Sequence, residues 1–310
     1  MLQEARNLDP KRPEALIALA NTYMLRNDLT GAMQLFQRAR DTAPDSPAPL
    51  LAWADALAAQ GDLTGALDLF AQAAEVAGKA PAGASRTDTI VDTYLRWIDA
   101  LQAADDSQQA LALAQTLARN FPDSLPALRS VGNVYRSAGQ NEEAAVQYQT
   151  ALDVAPLDLA TRLALGETLT TLGQFDEAMT VYTDGLEQPA GRAELHTAIG
   201  RLNESQDRMG RAVQAFRDAI AANPDNWQAA AELGRLFLEL DRPNKALETV
   251  LAAVQRRPDA APLLALQGDA NQALGRQQEA LAAYGTALDL LSASATPGQS
   301  TAQQLSLIHI

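Results

Sequence analysis

The 310-residue chain has no cysteine, two histidines and few basic residues: 24 Lys and Arg stand against 38 Asp and Glu, for a formal charge of −14. Without cysteine it forms no disulfide, which suits the cytoplasm and the periplasm alike. Nucleic acids and anionic membranes are held mainly by Lys and Arg that neutralise phosphates, so a basic or neutral protein is the more compatible partner. No apolar run approaches the roughly 20 residues that span a bilayer. We expect no nucleic-acid partner and no direct membrane insertion.

The usual sequence marks of an enzyme are missing as well. There is no cysteine nucleophile, no HExxH motif, no Walker-type glycine loop and no GxGxxG. His196 is the one histidine worth weighing as a catalytic base, and a structural role is favoured for it. Carboxylates such as Asp62, Glu142 and Asp176 stand at helix starts, where capping and the helix dipole explain them. The sequence therefore predicts a protein without catalytic activity, cofactor or metal.

What the chain does contain is apolar residues, nearly half of the total and many of them alanine, at helical spacing. Residues 125–158 predict two helices separated by Gly139-Gln140 and ended by Pro156. The first helix carries an apolar or small stripe, and the second carries another. The stripes consist of Leu128, Val131, Gly132 and Tyr135, and of Ala144, Tyr148, Ala151 and Leu152. Two facing stripes indicate an antiparallel hairpin.

The hairpin pattern recurs every 34 residues, with one detour of ten residues after the second copy. A small residue recurs in the first helix at Ala20, Ala54, Ile98 (the one large occupant), Gly132, Gly166, Gly200, Gly234 and Gly268. A mostly aromatic position recurs in the second helix at Phe36, Phe70, Ala114, Tyr148, Tyr182, Phe216, Val250 and Tyr284. A small side chain where two helices cross lets the backbones approach, and a large one fills the adjacent hollow. The columns thus predict hairpins that stack in register.

This spacing resembles the tetratricopeptide repeat, a 34-residue helix-turn-helix. The resemblance implies an all-α fold, a right-handed superhelical solenoid of stacked antiparallel hairpins. Chain length alone would suggest two globular domains, whereas the resemblance implies one elongated array. The predicted segments are 1–12 (a partial repeat, second helix only), the repeats 13–46, 47–80, 91–124, 125–158, 159–192, 193–226, 227–260 and 261–294, an insertion loop at 81–90, and a linker-like tail at 295–310. The third repeat is the most divergent.

Both ends predict a fragment of a longer, bacterial-type array. The first twelve residues read as the end of a hairpin whose first helix is missing. The last six, LSLIHI, resemble the translation of a sequencing-library adaptor, with a genuine apolar tail as the alternative. The compartment, cytoplasm or cell envelope, stays open.

In the family that the chain resembles, the first helices line the concave surface, and the ninth residue of each repeat points into it. Here that position is polar throughout: Asn21, Asp55, Asp99, Asn133, Glu167, Arg201, Arg235 and Asp269. Such a ladder, together with Arg129 and Arg136, could hydrogen-bond an extended peptide. The alternatives are a solvated helix face and a simple pairing of Glu167 with Arg201. Reversing Arg201 and Arg235 to glutamate is predicted to weaken partner binding without altering helicity.

The resemblance also bears on the kind of partner. The carboxylate clamp of the chaperone-binding subclass is incomplete, since Arg129 and Asn133 match it but Ala164 and Glu194 do not. We therefore predict a non-enzymatic scaffold that binds a protein or extended peptide along its groove. Two alternatives stay open: the substrate-recognition arm of a truncated enzyme of the glycosyltransferase kind, and an envelope scaffold for exopolysaccharide export or assembly.

Overall fold

A computed structural model describes residues 12–79 and 84–294, and within them sixteen α-helices account for nearly all of the chain. In order they are α1 Pro13–Leu25, α2 Leu29–Thr42, α3 Ala48–Ala59, α4 Leu63–Lys79, α5 Ala84–Ala103, α6 Ser107–Asn120, α7 Leu125–Ser137, α8 Asn141–Val154, α9 Leu159–Thr171, α10 Phe175–Gly185, α11 Arg192–Ser205, α12 Met209–Ala222, α13 Trp227–Glu239, α14 Pro243–Arg256, α15 Ala261–Ala273 and α16 Gln277–Ser294. The predicted all-α class is confirmed.

The helices form two compact units, residues 1–156 with α1–α8 and residues 157–310 with α9–α16. Within each unit an odd-numbered helix packs against the even-numbered helix that follows it, and against the next odd-numbered helix in several cases, such as α1 with α3 and α11 with α13. Each unit is therefore a stack of helical hairpins, as the solenoid prediction requires. The segments predicted at 1–12 and 295–310 lie outside the described residues apart from Arg12, and the exact repeat boundaries stay predictions.

In the hairpins with glycine at the small position, that glycine packs against the large residue of the second helix, as the sequence columns predict. A Cβ built on Gly132 would lie 2.6 Å from a ring carbon of Tyr148, and one on Gly166 would lie 2.2 Å from the ring of Tyr182. The two members are 16 residues apart, and the aromatic member is almost wholly buried in both hairpins. The ring thus packs directly on the glycine backbone, where any side chain would collide with it.

The third hairpin reverses this arrangement. Ile98 occupies the small position of α5 and Ala114 the large position of α6, and both are buried in one apolar cluster with Leu101 and Leu117. The large side chain is on the first helix here and the small one on the second. The space between the two helices is therefore filled by Ile98 from α5, at a similar total side-chain volume.

The loop predicted for 81–90 is wrong from residue 84 onward, because α5 begins at Ala84. Its first turns are stabilised locally: Thr89 Oγ1 donates to the Ser85 carbonyl oxygen at 2.7 Å, and Arg86 Nη2 donates to the Gly78 carbonyl oxygen at 2.7 Å. The chain has no proline or glycine between 84 and 103, so nothing interrupts the helix once it has begun. Residues 81–83 lie outside the described part.

The turn inside every hairpin needs one residue with a left-handed backbone. That residue is Gly61, Gly139, Gly173 or Gly275 in four hairpins and Asn27, Asp105, Asp207 or Asp241 in the others, with φ between 53° and 85°. The site follows the C-terminus of each first helix, where a left-handed residue closes the last turn. Asn and Asp are the non-glycine residues that tolerate this conformation best.

Gly139→Ala is expected to lower the free energy of unfolding by about 1 kcal/mol, because Gly139 has φ 75° and a Cβ disfavours that conformation. The same chemical change at Gly285 should instead raise it by up to about 1 kcal/mol, since Gly285 lies inside α16 with nothing near its missing Cβ. Urea denaturation of both variants checks the two signs. A stabilising Gly139→Ala would contradict this account of the turn.

Three of the four second helices in the first unit begin with a side-chain cap. Asp28, Asp62 and Asp106 precede α2, α4 and α6, and each accepts a hydrogen bond from the backbone nitrogen three residues on, at 2.9–3.1 Å. The prediction that Asp62 caps a helix is thus confirmed. Glu142 lies in the first turn of α8 and Asp176 in that of α10, where a carboxylate favours the helix dipole.

Candidate functional site: the ladder face of the first helices

We call the side of the odd-numbered helices that carries the ninth residue of each repeat the ladder face. In the second hairpin, Asp55 of α3 accepts from Arg96 of α5, with Arg96 Nη1 2.6 Å from Asp55 Oδ2. Arg96 Nε also donates to Asp92 at 3.0 Å within α5. The early start of α5 is what places Asp88 and Asp92 beside α3.

These residues line a groove of about 750 Å³ between α1, α3 and α5. It brings together two of the predicted site residues, Asn21 and Asp55, both exposed. Its charged lining is Asp55, Asp88, Asp92 and Arg96, so three carboxylates stand against one guanidinium. Small side chains such as Ala52 and Ala56 leave the space open. The groove can accept hydrogen-bond donors and positive charge.

In the second unit, two further predicted residues share one ionic network. Arg201 Nη2 of α11 lies 2.7 Å from Glu232 Oε1 of α13. Arg235 of α13 pairs with Glu204 of α11 at 2.6 Å, with Glu232 at 3.1 Å, and with Glu239 one turn further on.

The charge state of Arg235 depends on its burial and on the neighbouring carboxylates. Burial works to lower the pKa of Arg235, but Glu204, Glu232 and Glu239 together hold it above its ordinary value, so the guanidinium stays charged. Three carboxylates outnumber the two guanidiniums. Because the side chains of Arg201 and Arg235 remain 55% and 36% exposed, these pairs contribute little to stability and leave hydrogen-bonding groups at the surface.

Two ladder residues are held by the aromatic residue of their own hairpin. Tyr148 donates its hydroxyl to Asn133 Oδ1 at 2.7 Å, and Tyr284 donates to Asp269 Oδ1 at 2.6 Å. In both hairpins the ring lies against a glycine, so the hydroxyl passes the first helix and reaches its ladder side. Burial, and then the bond to Asp269, raise the pKa of Tyr284, which keeps its hydroxyl a donor.

The other predicted residues are more dispersed. Glu167 is exposed on α9 and close enough to Tyr182 that its charge, after burial, helps raise the pKa of that phenol; Arg201 acts in the opposite direction. On α7, Arg129 is half-buried, and the Arg136 guanidinium lies 6.0 Å from the ring centroid of Tyr148. His196 is half-buried on α11. Within the described residues no group of three or more His, Asp or Glu is placed to hold a metal ion.

Loss of hydration raises the pKa of Asp99 on α5. An acid whose folded pKa is raised costs stability once it ionises, so its penalty grows as the pH climbs above the ordinary aspartate range. Asp99→Asn is therefore expected to raise the midpoint of thermal unfolding slightly at neutral pH. At about pH 3 the midpoint should be unchanged, because the aspartic acid is then protonated and as neutral as the asparagine that replaces it. A gain that persists at low pH would contradict this assignment.

The sequence predicts the ladder but not its charged partners, which are Arg96, Glu204, Glu232 and Glu239. A signal was present in the spacing. Arg201–Glu232 and Glu204–Arg235 are both 31 residues apart, three short of the repeat, and Asp55–Arg96 is 41 apart, three short of the repeat plus its ten-residue detour. Residues one turn earlier on the next first helix therefore face the ladder.

Comparison with known proteins agrees with this architecture. One sequence profile described as Tetratricopeptide repeat matches residues 1–52, 135–202 and 205–270, and a second profile of the same description matches residues 95–152. No curated protein matches the chain significantly. No helix in residues 12–79 and 84–294 has the length and apolarity needed to cross a membrane.

Several solved structures resemble the chain in fold. A tetratricopeptide repeat protein from Parabacteroides merdae is 15% identical, with 85% of this chain and 97% of that one covered and a TM-score of 0.53. PilW, described as a widely conserved type IV pilus biogenesis factor, is 20% identical over 70% and 98% of the two chains, with a TM-score of 0.50. MamA is 23% identical over 57% and 96%, with a TM-score of 0.44. The profile matches cover most of the sequence, and the chain belongs to the tetratricopeptide repeat family.

Proposed function

We propose that the chain is a non-enzymatic scaffold whose ladder face binds an extended segment of a protein partner. The observation that carries the proposal is the groove between α1, α3 and α5, where exposed Asn21 and Asp55 stand over small side chains. Solenoid repeats expose extended surfaces of this kind to partners. The polar ladder side chains offer hydrogen bonds to a peptide backbone along the first helices.

The charges of the groove favour a basic or neutral segment. Three carboxylates and one guanidinium line it, and Arg96 is already shared between Asp55 and Asp92. A lysine or arginine of the partner would complete the pairing, whereas an acidic segment would be repelled. The ladder of the second unit has the same sign, because Glu204, Glu232 and Glu239 surround Arg201 and Arg235.

This arrangement changes the test suggested by the sequence. Reversing Arg201 and Arg235 to glutamate would place like charges beside three carboxylates, so a loss of binding would be mixed with a loss of stability. The first unit offers a cleaner pair, Asp55→Asn with Asp92→Asn, which removes two charges and keeps the side-chain size. Asp45→Asn with Asp68→Asn is the matched control, since both lie exposed outside the groove.

The experiment is a selection of random heptapeptides displayed on phage against the immobilised full chain, followed by titration of the enriched peptides by fluorescence anisotropy. We expect lysine and arginine to be enriched and affinity to fall roughly tenfold in the Asp55/Asp92 variant, but less than about twofold in the control. Enriched peptides that bind both variants equally, or the absence of any enrichment, would refute the proposal.

A further inference from the structure

A second groove lies in the other unit, between α12, α13 and α14, and encloses about 480 Å³. We call it the α12–α14 groove. Its charged lining residues are Arg217, Lys245, Glu248 and Arg256, and its apolar lining includes Leu233 and Phe237. On α13, Leu233 and Phe237 lie two residues either side of Arg235, about 160° around the helix from it. The groove therefore opens away from the ladder face.

The floor of the groove is apolar and fixed in shape. Leu233 and Phe237 are almost completely buried in the core of the hairpin pair, together with Phe216 and Leu236. Ile220, Ala230 and Ala253 belong to the neighbouring apolar cluster. Since these side chains are already packed, the groove exists without any rearrangement, and binding there would cost little ordering of the protein.

The rim carries positive charge in a chain whose net charge is strongly negative. The Arg217 guanidinium and the Lys245 ammonium each lie 5.9 Å from the ring centroid of Phe237, so both are held over the floor by cation–π attraction. Arg256 is the third cation, and Glu248 is the only acid among the lining residues. The contact from Arg256 to Asp225 is 3.4 Å long and exposed on both sides, so a ligand can compete with it.

The repeat itself does not dictate this rim. The position of Arg217 is occupied in the other repeats by Gln37, Ala71, Gln115, Gln149, Thr183, Leu251 and Gly285. The position of Arg256 is occupied by Thr42, Val76, Asn120, Val154, Gln188, Ala222 and Leu290. Neither position holds a basic residue in any other repeat, whereas Arg217 and Arg256 both line this groove. Stacking of hairpins explains the apolar floor but not the three cations around it.

We propose that the α12–α14 groove is a second binding site, which takes an acidic peptide segment with one large apolar side chain. The apolar side chain would lie over Leu233 and Phe237, and carboxylates on either side of it would accept hydrogen bonds from Arg217, Lys245 and Arg256. Charge-assisted bonds of this kind fix both affinity and register. The two grooves would then select segments of opposite charge, basic on the ladder face and acidic here.

The test uses the full chain and a fluorescein-labelled peptide of roughly twelve residues, with Glu and Asp on both sides of a single central Phe. Two companion peptides replace the acids by Gln and Asn, or the Phe by Ser. The variant is Arg217→Gln with Arg256→Gln; the control of equal charge change is Arg208→Gln with Arg276→Gln, exposed in the same unit outside the groove. Circular dichroism verifies that each variant is folded.

Anisotropy titrations should show that the acidic apolar peptide binds the native chain at least about tenfold more tightly than either companion. The Arg217/Arg256 variant should lose about tenfold, the control less than about twofold, and the Asp55→Asn/Asp92→Asn variant nothing, which separates this site from the ladder face. Equal losses in variant and control, or equal binding of the amide peptide, would overturn the proposal. So would tighter binding of a short single-stranded oligonucleotide, which would mark the rim as a phosphate site.

Discussion

Phe216→Ala is expected to lower the free energy of unfolding of the second unit by about 3–5 kcal/mol. Phe216 is fully buried in α12, and its ring packs on the backbone of Gly200 in α11, where a Cβ would lie 2.4 Å from the ring. Removing the ring leaves a cavity between α11 and α12. Gly200 has no side chain that could fill this cavity.

Urea denaturation followed by circular dichroism measures this loss, and hydrogen exchange of the α11 and α12 amides assigns it to the correct hairpin. Leu251→Ala provides the comparison: Leu251 is 38% exposed on α14, and its truncation should cost less than about 1 kcal/mol. Equal costs at the two positions would mean that the aromatic column does not hold the hairpins together.

The second prediction is that Gly200→Ile has opposite effects in two backgrounds. In the native chain isoleucine collides with Phe216, and the overpacking is expected to cost about 1–3 kcal/mol. In the Phe216→Ala chain the same substitution should recover part of the lost stability, because the pair then becomes Ile and Ala. The third hairpin already has this pair, Ile98 with Ala114, both buried.

The four chains form a double-mutant cycle, measured by the same urea titrations. We expect a favourable coupling of roughly 1–3 kcal/mol between the two substitutions. Simple additivity of the two losses would contradict the idea that the two columns share one space. It would also remove the explanation given for the divergent third hairpin.

The sequence could predict the hairpins because their packing repeats. Gly132 and Tyr148 have counterparts at the same positions of the other repeats. The two residues contact each other within one hairpin, so the periodicity alone predicts their contact. The same reasoning failed at 84–90, where Pro81 and Gly83 suggested a loop but the residues after them contain no helix breaker. The same periodicity predicts one array from end to end, and this stays a prediction.

The ladder face was predictable only in part. Its positions follow from the repeat, so Asp55, Arg201 and Arg235 could be placed on one side of their helices. Their partners depend on the offset between successive first helices, which the apolar pattern does not contain. The rim of the α12–α14 groove could not be predicted for a related reason: Arg217 and Arg256 are far apart in the chain and line one groove only after two hairpins have packed.

The central claim is that the first helices carry the partner surface, and site-specific photo-crosslinking tests it most directly. A benzophenone amino acid is introduced at Asn21 on α1 or at Gln37 on α2, two exposed amide positions of the same hairpin, and each chain is irradiated with a basic peptide enriched by the phage selection. We expect a crosslink from position 21 that is suppressed when an excess of a competing basic peptide is present, and no crosslink from position 37. A crosslink from position 37 alone would contradict it.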